Sequence, residues 1–173
     1  MMKGASRKFF FTTITGVLLL ATGLAGCSSK PAGEHAQHAA SNQQQLAGGD
    51  TLETTSGPKE LPTFLKNLDP QIAQIYELAA YNHDTMDHIA CYCGCGESVG
   101  HRSNRECFIN EVKPDGKIVW NSHGTTCANC MNIAVESIQM KQQGKSILEI
   151  RKYIDNKYKE GYAKPTPTPM PGA

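Results

Sequence analysis

The residues able to do chemistry crowd into two short stretches. "HIACYCGCGESVGH", residues 88–101, places Cys91, Cys93 and Cys95 at alternate positions with a histidine at either end. "SHGTTCANC", residues 122–130, sets Cys127 and Cys130 three apart behind His123, and Cys107 lies between the two stretches. Thiolate and imidazole are ligands of soft and borderline cations, and C-x-x-C at the start of a helix is a familiar half of a tetrahedral site. Gly94 and Gly96 allow the first stretch to curl around an ion. The ion expected is zinc or copper(I). Four thiolates suffice for structural zinc, and six with imidazoles suit two ions or a small copper(I) cluster. The candidate ligands are Cys91, Cys93, Cys95, Cys107, Cys127 and Cys130, with His101 and His123 as additional ligands.

Two other chemistries fit the same residues. Apart from Cys27 the cysteines number six, an even count that suits three structural disulfides outside the cytoplasm. Alternate cysteines cannot pair with one another without strain, so Cys91, Cys93 and Cys95 would each need a partner among the other three. Thiol–disulfide exchange is the other choice, with Cys127 at a helix start, where the dipole and free N–H groups favour a thiolate, and Cys130 as its partner. Four further cysteines have no necessary part in such an exchanger. Paired carboxylates, a serine triad, a phosphate-binding loop and a nucleotide fingerprint are all missing from the sequence, so hydrolase and kinase chemistry have no foothold.

The elements that must position these residues are short. Apolar spacing through Ile72, Ile75, Tyr76 and Ala79 predicts a helix over 70–81, capped by Asp69 with Pro70 in its first turn. A turn of helix follows at 84–88. "CFINEVKPDGKIVW" predicts a β-hairpin of 108–112 and 117–120 about a turn at 113–116. Thr126 caps a helix bearing Cys130, Ala134 and Ile138, and Gly144 ends it. Ser146 and Glu149 form a capping box for a last helix carrying Ile147, Ile150, Ile154 and Tyr158. The fold expected is a small, mainly helical α+β domain with a C-terminal helical hairpin, one short β-hairpin and a cysteine-rich loop.

The ends of the chain assign its place. Lys3, Arg7 and Lys8 precede an apolar run to Ala25, the pattern of a signal peptide over 1–26. The run closes on "LAGC", which resembles a bacterial lipobox, implying cleavage before Cys27 and lipid (diacylglycerol, palmitate) on its sulfur. The expected location is the outer face of the cell membrane, held by that lipid. Removing three of the seventeen basic residues leaves fourteen against sixteen acidic ones, a net charge of about −2, which argues against nucleic acid as a partner. Residues 27–60, rich in Gln, Ser, Gly and Thr, read as a disordered tether, in which His35 and His38 are solvated. Residues 61–162 form the domain, and 163–173 a stiff proline-rich tail.

With "ACYCGCGESVGHRSNRECF" and "VWNSHGTTCANC", the chain resembles the bacterial lipoproteins grouped by a PCYCGC motif, from about Leu61 to Pro171. Ala90 stands where the family pattern has proline. That family carries no settled activity, so the resemblance implies kinship and location rather than mechanism. Residues 127–158, "CANC" followed by "GKSILEIRKYIDNKY", also resemble the helical thiol-oxidoreductase subunit of cytochrome c maturation, with a shorter gap from Cys130 to Gly144. This second likeness implies Cys127 and Cys130 as a redox pair.

Overall fold

A computed structural model describes residues 42–172, all within one unit of the chain. The signal segment, Cys27, His35 and His38 lie outside the described residues. Four strands, β1 (Gln43–Gln45), β2 (Thr51–Thr55), β3 (Ile109–Val112) and β4 (Ile118–Asn121), make one antiparallel sheet in the order β1-β2-β4-β3. The α-helices among the described residues are α1 (Pro70–Tyr81), α2 (His83–Met86), α3 (Cys95–Ser98), α4 (Ala128–Gln142) and α5 (Ile147–Tyr158). Among the described residues no helix is long and apolar enough to cross a membrane.

The predicted elements form where local chemistry demands them. Asp69 accepts from the Gln71 N–H and opens α1 ahead of Pro70, whose missing N–H costs nothing in a first turn. The hairpin turns at Gly116, in the left-handed region. Ser146 and Glu149 exchange both hydrogen bonds of a capping box at α5, after Gly144 closes α4 at φ +81°. Ile133, Ala134 and Ile138 of α4 and Ile150, Ile154 and Tyr158 of α5 are buried in the common core. One cap moves by a residue: Cys127, not Thr126, caps α4, its Sγ accepting from Cys130 N at 3.4 Å.

Two expectations are corrected. The segment read as a tether reaches only part-way, because residues 43–55 supply β1 and the inner strand β2, so the sheet has four strands rather than two. Large apolar side chains are few there, and β2 is held instead by ladders on both flanks and by direct polar contacts. Trp120 Nε1 donates to Thr55 Oγ1 at 2.8 Å. The buried Glu53 carboxylate accepts from Thr63 N at 2.8 Å and from Gln43 Nε2 at 2.7 Å.

The domain boundary read at 162 is the second, because the proline-rich tail, without regular secondary structure, packs against the domain. Thr166 pairs with Cys91 in both directions at 2.9 Å, and Arg151 Nη1 donates to the carbonyls of Thr168 and Pro169 at 3.1 Å each. A proline-spaced chain keeps its threonine N–H groups and hydroxyls free to donate, which lets it bind as a strap without entering a sheet.

Candidate metal centre

Three supports bring the cysteines together. The first is the aromatic cluster of Tyr76, Phe108 and Trp120, which fixes α1 against the sheet. Tyr76 packs edge-on against Phe108 at 5.1 Å and donates from its hydroxyl to Asn121 O at 2.8 Å, where β4 gives way to the turn carrying His123. The second is Asn104, whose backbone N–H donates to Ile89 O at 2.8 Å and whose side chain donates to Cys130 O at 3.2 Å, joining the two ends of the centre. The third is the tail, which satisfies both backbone groups of Cys91. Gly94 turns the chain between Cys93 and Cys95 at φ +88°. A Cβ on Gly96 would lie 3.2 Å from Thr166 Cα, so only a glycine lets the tail approach this closely.

Among the described residues, none of the six cysteines is joined in a disulfide. Cys91 Sγ lies 3.3 Å from Cys130 Sγ and 3.5 Å from Cys93 Sγ, Cys130 is 3.4 Å from Cys93, and Cys107 is 3.8 Å from both Cys91 and Cys95. These separations are far beyond a disulfide bond of about 2.05 Å. They approach the edge of a zinc–sulfur tetrahedron, about 3.8 Å for bonds of about 2.3 Å. The disulfide reading therefore finds no support in this arrangement.

Ligand atoms within 4.8 Å of one another form four triads: Cys91–Cys107–Cys130, Cys91–Cys93–Cys95, Cys93–Cys127–Cys130 and Cys95–His101–Cys107. Every cysteine except Cys127 belongs to two of them. The triads are thus fused through shared sulfurs. Soft sulfur donors in this number, supplemented by imidazole, fit a soft or borderline ion. This clustered group of buried cysteines and a histidine could hold a metal.

The electrostatics agree. Hydrogen bonds from Cys107 and Cys130 push the Cys91 thiol down to about 4. Cys93 lies well below the ordinary thiol range, with Cys107, Cys127 and Cys130 donating to it. Cys130 is pushed well above that range by the sulfurs of Cys107 and Cys127 beside it. Crowded thiols cannot all ionise without a compensating charge, and a cation provides it. Cys127, the anticipated attacking thiol of an exchanger, is shifted upward rather than down: Cys130 lowers it, but the Cys93 sulfur and burial outweigh that.

The two histidines lie beside the sulfurs, with rings edge to face at 4.7 Å. His101 Nδ1 is 3.6 Å from Cys107 Sγ, and burial holds its pKa below the usual imidazole value, with His123 adding to the effect. His123 is raised to about 9, first by the Cys93 sulfur and then by Asp50, whose Oδ2 is 2.9 Å from its Nδ1. His123 is in none of the four triads. Met131 packs against the core, and His88 takes part through its carbonyl, which accepts from Arg151.

Asp50, Asn121, Thr166 and Arg151 also serve the site, and the cysteine pattern alone does not reveal them. The one local signal was the alternation of Thr and Pro in "KPTPTPMP", whereas "DTLETT" carries a single apolar residue, Leu52, and offers none. Neither the curated proteins nor the solved structures include a match to this chain. Residues 16–171 match the family described as "Protein of unknown function with PCYCGC motif". The chain belongs to that PCYCGC family.

Proposed function

We propose that this protein is a membrane-anchored extracytoplasmic lipoprotein that binds a soft metal, zinc or copper(I), as a thiolate-bridged cluster. The lipid on Cys27 ties it to the membrane, and Cys91, Cys93, Cys95, Cys107, Cys127 and Cys130 hold the metal, with His101 and His123 beside them. The observation that carries this reading is the fusion of the four triads. A single structural zinc needs four ligands and would leave sulfurs unused, whereas shared sulfurs bridge ions. Three-sulfur groups suit copper(I), and paired tetrahedra suit zinc.

Titration of the reduced, metal-free protein with zinc or copper(I) under anaerobic conditions tests this. The expected result is more than one ion per chain, with all six thiols shielded from alkylation. Binding of a single ion that leaves two or more thiols reactive would contradict a bridged cluster.

Thiol–disulfide exchange through Cys127 and Cys130 is the second reading, favoured by one observation: Cys127 caps α4 and is only half-buried. It requires Cys127 to alkylate faster than the other thiols of the metal-free protein at neutral pH.

A further inference from the structure

The two histidines beside the cysteines are held by different partners, and those partners decide which ring nitrogen carries a proton. Asn121 is the centre of the argument. Its Oδ1 accepts from the His123 backbone N–H at 3.0 Å, and its Nδ2 donates to Glu106 O at 3.0 Å. Turning the amide over would set oxygen against oxygen at Glu106 and nitrogen donor against nitrogen donor at His123. The amide orientation is therefore determined by its two backbone partners.

A third partner follows from that orientation. His101 Nε2 lies 3.3 Å from Asn121 Nδ2, which still has one hydrogen to give. His101 Nε2 must then be the unprotonated nitrogen, and its proton sits on Nδ1, directed at Cys107 Sγ 3.6 Å away. A metal on Nδ1 would force the proton to Nε2, donor against donor at Asn121, in a residue only 7% exposed where no solvent shell can relieve it.

His123 has the opposite arrangement. Asp50 Oδ2, at 2.9 Å, accepts a hydrogen bond from Nδ1–H, which keeps the proton on Nδ1 and leaves Nε2 as the nitrogen able to bind an ion. A carboxylate on one nitrogen and a metal on the other is the usual way a protein orients a histidine ligand. Both side chains are largely shielded, Asp50 at 17% and His123 at 19% exposure, so the contact is not a passing surface pair.

We infer that Asp50 and Asn121 assign the two histidines different duties at the cluster: His123 is its imidazole ligand through Nε2, and His101 is a hydrogen-bond donor to the Cys107 thiolate. The assignment rests on the metal-binding reading above and refines it, because His101 lies nearer to the sulfur triads yet is barred from ligation. An N–H directed at a bound thiolate withdraws charge from the sulfur without occupying a coordination position. Asp50 and Asn121 are positioning residues.

The test uses the full chain, labelled with nitrogen-15 and loaded with cadmium-113 as a magnetic stand-in for zinc. Scalar coupling from cadmium is expected to the ring protons of His123 and not to those of His101, whose long-range nitrogen–proton pattern should show Nδ1–H and a bare Nε2. Coupling to His101, or to neither ring, would overturn the assignment. If no cadmium is bound by thiolate at all, the metal-binding reading fails instead, and the His101 proton pattern in the metal-free chain still decides the tautomer. N121D, which presents an acceptor to Nε2, should move the His101 proton from Nδ1 to Nε2. D50N should weaken metal affinity about 10- to 100-fold and leave the His101 pattern unchanged. A D50N protein with parental affinity would refute the role of Asp50.

Discussion

The hydrogen bonds between Thr166 and Cys91 allow the tail to be tested with a single methyl-for-hydroxyl exchange. Thr166→Val keeps the side-chain shape and the backbone bond to Cys91 O, but it removes the acceptor of the Cys91 N–H. Cys91 is fully buried, so that N–H is left without water or protein to receive it. An orphaned buried donor costs about 1–3 kcal/mol. Unfolding entropy of about 2.1 cal/mol/K per residue over roughly 130 residues gives about 3.6 °C of Tm per kcal/mol. The variant should therefore melt about 4–11 °C below the parent. Calorimetry on reduced, metal-free protein in chelator is the assay, since bound metal would add its own stabilisation. A melting temperature within about one degree of the parent would refute the claim that the tail secures the cysteine loop.

Three further outcomes follow from the same geometry. Gly124→Ala places a Cβ 2.7 Å from Phe108 Cε1 and 3.0 Å from Cys107 O, an overlap that should destabilise the fold by about 1–3 kcal/mol in urea titration. Cys130→Ser removes a member of two triads and Cys127→Ser a member of one, so native mass spectrometry of metal-loaded protein should show a larger loss of metal for Cys130→Ser. The His123 shift makes a pH prediction. A folded pKa of about 9, above an unfolded value of about 6.5, means His123 stabilises the metal-free protein fully below pH 6.5 and loses that contribution as pH rises through 9. The stability difference between the parent and His123→Gln should accordingly shrink across that window, and a difference that grows would show the sign to be wrong.

Legibility of the sequence followed the kind of force at work. Helices α1 and α5 are announced by local chemistry, Asp69 before Pro70 and Ser146 before Glu149, and both begin where those residues stand. The β3–β4 hairpin is announced by alternation about "KPDG". Strand β2 is not, because Thr51–Thr55 offers one large apolar residue and owes its place to β1, β4 and the carboxylate of Glu53. Interactions separated by many residues leave no local trace.

The same division applies at the centre. The six cysteines could be named as candidate ligands from their types and spacing, but not whether they form one site or two. Their fusion through shared sulfurs depends on how Asn104 and the tail bring residues 91 and 130 to within 3.3 Å. Asp50 belongs to a stretch that composition alone describes as solvated, and only the sheet delivers it to His123.

The most direct test of the account is elemental analysis joined to a thiol count on protein carrying every residue from Ser28 onward, purified without chelator. A start at residue 61 would remove β1, β2 and Asp50. The account predicts zinc or copper at more than one ion per chain, with thiols that titrate only after the metal is stripped. Protein free of metal that cannot be loaded, with its cysteines paired as disulfides, would contradict it.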